Sequence, residues 1–486
     1  MYFDRWLLPA IILIYTCGNK ERIFQGIIAG FICQRPDPVP KYLTAPVARS
    51  DMPGGIPYIV GNEAAERFSF YGMRAILVVF MTQYLVDSSG ALDVMSETEA
   101  KGWYHLFVSA VYLTPLLGAL LSDGLLGKYR TIILLSLLYC AGHAALALDD
   151  SRWGLVVGLG MIALGAGGIK PCVSSHLGDQ FGQSNQGLLS RAFAWFYFSI
   201  NLGAFFSSLA TPWMLARFGS TVAFGVPGIL MLIATLTFWA GRRKFVHIPA
   251  GGRKFIKEAF SKKGLGALGR LSIVYVFVAV FWSLFDQTGS SWVLQARHMN
   301  TLIFGIELLP AQIQAANPLL VMLLIPVFSY GVYPVIDKVF PLTPLRKIAI
   351  GLFVAAAAFA VPTVIQLSID QGGSPSIVWQ LLAYVILTAA EVMVSITCLE
   401  FSYTQAPKTM KSFVMAFFML SISLGNLFTS AVNFIIQRPD GSSALEGADY
   451  FLFFTVLMLV TAVLFVVVAR YYRGHSYIHT EQPASG

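Results

Sequence analysis

The sequence predicts an all-α integral membrane protein with twelve transmembrane helices. Of its 486 residues, 56% are hydrophobic and only 12% are charged, whereas soluble domains are about 25% charged. Apolar blocks of about twenty residues recur along the chain, and each is long enough to cross a bilayer as a helix. The five cysteines are dispersed without metal-ligand spacing, so neither a disulfide framework nor a metal site is expected.

Twelve apolar blocks are predicted as spans, and their lengths vary as those of tilted helices do. They are 56–86, 100–122, 130–148, 153–177, 188–211, 220–240, 271–294, 317–336, 345–366, 377–402, 411–436 and 450–469.

The connections between spans alternate in charge. Most of their Lys and Arg residues follow even-numbered spans or lie in the C-terminal tail, whereas the odd-numbered connections carry acids such as Asp87, Asp93 and Glu97. The positive-inside rule places the basic connections and the C-terminus in the cytoplasm. The net charge of +8 therefore indicates a multi-pass protein of the cell membrane, with the lipid bilayer as a partner and no nucleic acid.

The longest internal polar stretch, 242–270, is a basic cytoplasmic linker between two predicted six-helix bundles, 52–241 and 271–470. Two such bundles around a midplane site are a common transporter plan. Residues 471–486 form a cytoplasmic tail. Residues 1–51 contain an apolar segment that is too short to span, and Met52 directly precedes the first convincing span. We therefore expect translation to begin at Met52 and 1–51 to be an extension outside the fold.

Span 1 carries four ionisable residues in an apolar helix. Glu63, Arg67 and Arg74 fall on one narrow helical stripe, with Glu66 and Tyr71 at its borders. Ionisable residues within a span are functional candidates by default. Two acids and two bases on one face can exchange partners with a proton or a charged substrate; the alternative is a static ion-pair cluster.

Span 4 places Lys170 at mid-span, directly before Pro171. A lysine at this depth needs an acidic partner or a water-filled cavity, and a proline frees a backbone carbonyl, which suits a cavity wall. The alternative is a lysine that extends its ammonium to the membrane surface.

Four later spans add further polar groups: Asp286 in the outer half of span 7, Glu391 near the middle of span 10, and the amides Asn201 in span 5 and Asn317 at the start of span 8. His105 lies in span 2, where a lone histidine is either a buried core residue or a proton carrier.

This set of charges matches a peptide, which has a carboxylate at one end and an ammonium at the other. Arg and Lys side chains hold carboxylates, Glu391 can hold the ammonium, and Asn side chains can pair with the peptide backbone. Tyr71 and Trp282 can bound side-chain pockets. The cations are Arg67, Arg74 and Lys170. A membrane-embedded enzyme or receptor is the rival class, but the sequence has no nucleophile elbow, phosphate loop or soluble signalling domain.

At these residues the chain resembles the proton-dependent oligopeptide transporters (POT/PTR), a family within the major facilitator superfamily. Span 1 matches the E-x-x-E-R signature as Glu63, Glu66 and Arg67. Further similar blocks are GGIKPCVSSHLGDQF, FYFSINLGAFFSS at 196–208 and LEFSYTQAP at 399–407. Several independent blocks in the right order make this resemblance specific.

The resemblance implies a major facilitator fold that imports di- and tripeptides by proton symport through alternating access. It implies a monomer with no cofactor and with protons as the coupling ion. A related transporter of another small anion or zwitterion, such as nitrate or a drug-like compound, remains the alternative. Two departures affect the pocket: Phe285 replaces a second acid found in many bacterial members, and Phe417 and Phe418 replace a tryptophan.

The resemblance also implies roles for single residues. Glu63, Glu66 and Arg67 would couple protonation to the release of a salt bridge with Lys170. Asp286 would carry a proton and pair with Arg74 as an outer gate. The peptide site would contain Arg67, Lys170, Asn201, Asn317 and, at the amine end, Glu391.

Two further assignments follow from the resemblance. The sequence around His105, WYHLF, is similar to the animal members, in which the aligned histidine is a proton site. The block GALLSDGLLGKYRT resembles the superfamily's cytoplasmic loop motif, which implies a gate contact between helices through Asp123 and Lys128.

Overall fold

The structure is a computed structural model that describes residues 42–252, 261–303, 305–405 and 411–472. Its contacts divide the chain into two units, 1–44 and 45–486, and all features below belong to the second. The expectations for residues 1–41, for 253–260 of the linker and for 473–486 of the tail lie outside the described residues.

Helix α1 spans Ile56–Gln83, and within the described residues eleven further helices are long and apolar enough to cross a membrane. Each predicted span coincides with one of the twelve. Helix α1 is long enough as well, at 28 residues, but its four charged side chains make it less apolar than the others. The membrane-spanning parts of the eleven are α2 Glu97–Leu126, α3 Lys128–Leu148, α4 Arg152–Gly178, α5 Gln183–Phe218, α6 Ser220–Arg243, α7 Leu268–Ala296, α8 Pro310–Asp337, α9 Pro344–Asp370, α10 Val378–Ser402, α11 Val414–Ile436 and α12 Gly447–Tyr471, and the helices of α7, α10 and α11 extend a few residues beyond these bounds.

Several of these helices are interrupted by 3-10 or π turns. In α7, the α-helix Lys262–Phe285 ends in the 3-10 turn Asp286–Gly289, and a last helix follows at Ser291–Ala296. In α10, the α-helix Val378–Glu391 continues into the π turn Val392–Ile396. Both breaks begin at or beside a predicted site acid, and π turns are frequent at functional sites.

Other helices are also divided into shorter segments. Helix α2 consists of Glu97–Leu113, Pro115–Leu121 and the π turn Ser122–Leu126. Helix α8 consists of the 3-10 turn Pro310–Ala315, Ala316–Pro326, the π turn Val327–Val332 and Tyr333–Asp337. Helix α5 begins with the 3-10 turn Gln183–Leu188, and α6 ends with the 3-10 turn Gly241–Arg243. The last α-helical segment of α10 is Thr397–Gln405, and the α-helix of α11 begins at Lys411. Between α7 and α8, the strands β1 Leu302–Ile303 and β2 Ile306–Glu307 form an antiparallel hairpin.

Buried apolar side chains form two clusters. The first comes mainly from α1–α6 and includes Phe70 and Tyr104. The second comes from α7–α12 and includes Trp292 and Phe359. Many leucine and valine side chains on the outer faces, α12 above all, remain exposed. In a soluble protein a surface of this kind would drive aggregation, whereas in a membrane it contacts lipid tails.

Small residues allow α4 to pack closely against α2. A Cβ atom added at Gly118 would lie 2.1 Å from the Gly168 carbonyl oxygen, and one added at Gly167 would lie 1.8 Å from Thr114 Oγ1. Only glycine fits at such contacts, and small interface residues are the usual device by which membrane helices approach each other.

Candidate functional site

A central cavity of about 200 Å³ lies between α1, α2, α5, α7, α8 and α10. It collects most of the residues that the sequence indicated as a peptide site or gate. These are Tyr71, Arg74, Asn201, Trp282, Asp286, Asn317 and Glu391. The Trp282 indole Nε1 has no hydrogen-bond partner among the described residues, so its donor is available to a ligand.

Sequence reasoning missed several residues that line this cavity. They are mostly aromatic or amide side chains, which in a transmembrane sequence look like ordinary core residues. They include Tyr112, Tyr197, Thr288, Gln314 and Tyr384.

Glu391 supplies a carboxylate to the cavity at the end of the α-helical part of α10. Asn317 Nδ2 donates to Glu391 Oε2 at 2.8 Å and to Thr388 Oγ1 at 3.2 Å. The amide thus orients the carboxylate and leaves its other oxygen, Oε1, for a ligand. An ammonium group is the natural partner for such an oxygen.

The charged stripe of α1 forms a compact cluster. Arg67 Nε donates to Glu63 Oε1 at 2.6 Å and lies 3.2 Å from Glu66 Oε2. Both carboxylates are almost fully buried. Glu66 accepts no hydrogen bond within the described part of the chain. Arg67 is absent from the cavity lining, so one buried guanidinium balances two acids behind the wall of the cavity.

Lys170 is buried, with 7% of its surface exposed. Its ammonium lies 3.9 Å from the Phe70 ring centroid and 4.4 Å from that of Tyr112, and it has no hydrogen bond among the described residues. The expected salt bridge with the α1 acids is therefore not formed in this conformation, because Arg67 holds both acids. The lysine does not extend to the membrane surface either, and it lies directly behind Tyr112 of the cavity wall.

The expected pair between Arg74 of α1 and Asp286 of α7 is present. Arg74 Nη2 donates to Asp286 Oδ1, and Arg74 Nε donates to Tyr104 Oη at 2.6 Å. Asn426 Nδ2 donates to the other carboxylate oxygen, Oδ2, at 2.6 Å. Asp286 is 2% exposed, so charge-assisted bonds from two helices, α1 and α11, secure a buried carboxylate.

His105 belongs to the same network. It is fully buried, with Nδ1 at 2.7 Å from Asn426 Oδ1 and Nε2 at 2.9 Å from Ser290 Oγ. Because the Asp286 carboxylate only accepts, Asn426 must present Nδ2 to it and Oδ1 to the histidine. His105 therefore donates from Nδ1, and Nε2 of the neutral ring accepts from Ser290. One amide links His105 to the Arg74–Asp286 pair.

Asn426 itself was missed by the sequence reasoning. The signal was present, because an amide inside the apolar span 11 is as unusual as Asn201 or Asn317. We name the chain of hydrogen bonds Arg74–Asp286–Asn426–His105–Ser290 the gate network.

The loop-motif residues Asp123 and Lys128 each contact another segment of the chain. Lys128 Nζ donates to Asp179 Oδ2 at 2.7 Å, so it connects the start of α3 with the end of α4. The Asp123 backbone carbonyl accepts from Gly251 N at 2.7 Å. The two residues form no ion pair with each other, and their role as a gate contact stays a prediction.

The fold is that of a multi-span membrane protein of the major facilitator type. The model of the POT family matches residues 129–263 and 261–448. The solved POT family transporter PepTSo superposes with a TM-score of 0.77 at 38% identity, which covers 87% of this chain and 99% of that one.

Curated relatives agree. Solute carrier family 15 member 2 of Homo sapiens is 35% identical over 403 residues, which covers 73% of this chain and 54% of the human protein. Peptide transporter family 1 of Drosophila melanogaster is 36% identical over 366 residues, with 66% and 48% covered. The chain spans about half the length of these curated relatives. The chain belongs to the POT family.

Proposed function

We propose that this transporter imports di- and tripeptides together with protons. The observation that carries the proposal is the central cavity. It combines the Glu391 carboxylate with the amide side chains Asn201 and Asn317, and the Lys170 ammonium lies behind its Tyr112 wall. These groups suit the ammonium, the peptide bond and the carboxylate of a short peptide. The peptide transporter of Drosophila among its relatives supports this cargo.

The gate network supplies a route for proton coupling. A proton on Asp286 removes the charge that holds Arg74, and a proton on His105 makes Nε2 a donor toward Ser290 instead of an acceptor. The first event weakens the contact between α1 and α7, and the second reverses the direction of the hydrogen bond between His105 of α2 and Ser290 of α7. In the same way, a proton on Glu66 leaves Arg67 with one acid partner, and Lys170, which has no hydrogen bond among the described residues, can hold the peptide carboxylate.

We propose that the described conformation is open to the cytoplasm. The Arg74–Asp286 pair, together with Ser423 Oγ donating to the Ser109 carbonyl at 2.8 Å, closes one end of the cavity. At the other end of α8, the segments Val327–Val332 and Tyr333–Asp337 contain no buried residue. The basic connections place that end in the cytoplasm, with the C-terminus on the same side of the cell membrane.

Two six-helix bundles, 52–241 and 271–470, would rock about this site as a monomer. The two separate buried clusters support the division, because each bundle keeps its own core during the motion. Glu63, Glu66, Arg67, His105 and Asp286 are the proposed coupling residues.

The test is uptake of labelled dialanine into proteoliposomes that are acidic outside. One proton with a neutral peptide moves one positive charge, which an inside-negative potential favours by about 2.3 kcal/mol per 100 mV. We expect accumulation that a protonophore abolishes and that excess unlabelled dipeptide blocks. Equal accumulation with the protonophore would exclude coupling. Uptake of nitrate without peptide would favour the alternative cargo.

A further inference from the structure

Lys101 is a second buried lysine, remote from the central cavity. It lies in the second turn of α2 and is 9% exposed. Its ammonium lies 4.0 Å from the ring centroid of Tyr450 on α12. Among the residues that the structure describes, no carboxylate lies within 4 Å of this ammonium and none accepts a hydrogen bond from it. A buried charge without a partner is costly, and the face of one aromatic ring compensates for only part of that cost.

The nearby acids are not its partners. Glu97 lies one turn earlier on α2, but its carboxylate lies 3.6 Å from Arg297 Nη1. Glu446 is exposed at the start of α12. The three N–H donors of Lys101 are therefore available to a molecule that is not part of the chain.

Lys101 lines a cavity of about 200 Å³, which is the volume of the central cavity as well. The cavity is lined by the beginning of α2, the end of α7 and the segment that leads into α12. Its polar walls include Ser291, Gln295 and Gln366, and the exposed side chains of Glu97 and Glu446 also line it. The cavity thus offers one buried cation, several hydrogen-bonding groups and the space for a small ligand, with its two acids on the exposed side.

We propose that this outer cavity binds a small carboxylate, with Lys101 as its anchor. A carboxylate accepts from the ammonium in charge-assisted bonds, which are about twice as strong as neutral ones. On the topology proposed above, α2 begins at the outer surface, so the ligand enters from outside the cell. One point of the inference rests on the proposed function: the physiological ligand is the C-terminal carboxylate of a peptide that has not yet entered the central cavity.

The outer cavity lies close to the gate network along α2. His105 follows Lys101 by four residues, so both side chains project from the same face of α2. A carboxylate bound at Lys101 lies one helical turn from the gate network. The bound carboxylate neutralises the Lys101 ammonium, which otherwise disfavours a second positive charge on His105. Binding therefore assists the protonation of His105 and the opening of the gate.

The test uses purified full-length protein and the variants Lys101→Met and Lys101→Arg. The matched control is Lys244→Met, which removes an exposed lysine from the ring of Tyr58 at 4.7 Å. Acetate binding is measured by saturation-transfer NMR, and the number of labelled dialanine molecules per chain by equilibrium dialysis. The native protein and the control should bind acetate and two dialanines. Lys101→Met should bind acetate on the order of ten-fold more weakly and only one dialanine, and Lys101→Arg should restore both.

Uptake separates this inference from the proposed function. If native protein and Lys101→Met bind acetate equally, the outer cavity holds only water and the inference is wrong, even where peptide uptake is normal. If no variant binds or transports dialanine but acetate binding still depends on Lys101, the carboxylate site stands and the peptide assignment fails. We expect Lys101→Met to transport at the native maximal rate but to need several-fold more peptide.

Discussion

Replacing Asn426 with leucine tests the gate network at its centre. Leucine has nearly the same size as asparagine but no polar group. Asn426 is fully buried, and its amide donates to Asp286 Oδ2 at 2.6 Å and accepts from His105 Nδ1 at 2.7 Å. Both contacts are lost in the variant, while Arg74 still holds Asp286.

The size of the effect follows from these two bonds. A hydrogen bond to a charged group contributes about 1.5–3 kcal/mol and a neutral one about 1 kcal/mol. Together they stabilise the conformation with the gate closed by about 2.5–4 kcal/mol, which corresponds to roughly 60- to 700-fold in a conformational equilibrium. We expect proton-driven accumulation of dialanine to fall by one to two orders of magnitude, because a gate that does not close allows the gradient to leak.

A matched control lies two turns further along α11. Asn433 is also fully buried and donates to the Thr429 carbonyl at 2.8 Å and to Tyr450 Oη at 3.1 Å. Asn433→Leu removes the same kind of group from the same helix without contact to the gate network. It should lower the melting temperature but leave the ratio of accumulated to external peptide nearly unchanged.

A double-mutant cycle isolates the link to the histidine. Uptake is measured for His105→Gln and Asn426→Leu, alone and combined, and for His105→Gln combined with Asn433→Leu. Contacting residues couple by about 0.5–3 kcal/mol, whereas remote ones add within about 0.5 kcal/mol. Coupling is expected in the first pair only. Additive effects in both pairs would refute the assignment of Asn426 as the link between His105 and Asp286.

Three further variants test other parts of the account. Glu391→Gln should weaken dialanine binding about 10- to 100-fold, as loss of a charge-assisted bond does. The affinity for an N-acetylated dipeptide, which has no ammonium group, should not change. Equal losses of affinity for the two peptides in a competition assay would argue against Glu391 as the ammonium site. Lys170→Met should keep or raise the melting temperature, because it removes a buried cation that has no hydrogen bond in the described part of the chain. Uptake should no longer respond to the pH gradient, and a large stability loss with intact coupling would contradict this. Gly118→Ala should destabilise the protein by about 1–3 kcal/mol, because its Cβ would lie 2.1 Å from the Gly168 carbonyl oxygen. The control Gly160→Ala has open space around its Cβ and should not lower the melting temperature. Equal melting temperatures for the two variants would disprove the close packing of α2 and α4.

The spans were predictable because each depends on a local property, the apolar content of about twenty consecutive residues. The stripe on α1 was predictable for the same reason, since helical spacing alone places Glu63 and Arg67 side by side. The structure confirms both. It also contains the Arg74–Asp286 pair that the family resemblance implied, and the role of this pair as an outer gate stays a prediction.

Other contacts form between residues that are far apart in the sequence, so local sequence patterns do not predict them. Asn426 reaches His105 across 321 residues. Lys128 has Asp123 nearby in sequence but pairs with Asp179. Lys170 has no hydrogen bond among the described residues, so the predicted salt bridge is not formed in this conformation and its role in coupling stays a prediction.

The most direct test of coupled transport is proton movement caused by peptide. Proteoliposomes with an internal pH dye and no imposed gradient receive dialanine from outside under an inside-negative potential. Peptide–proton symport predicts that the lumen acidifies when dialanine is added, in proportion to the peptide taken up, and that Asp286→Asn abolishes the signal. Peptide uptake without any change in internal pH would contradict the central claim.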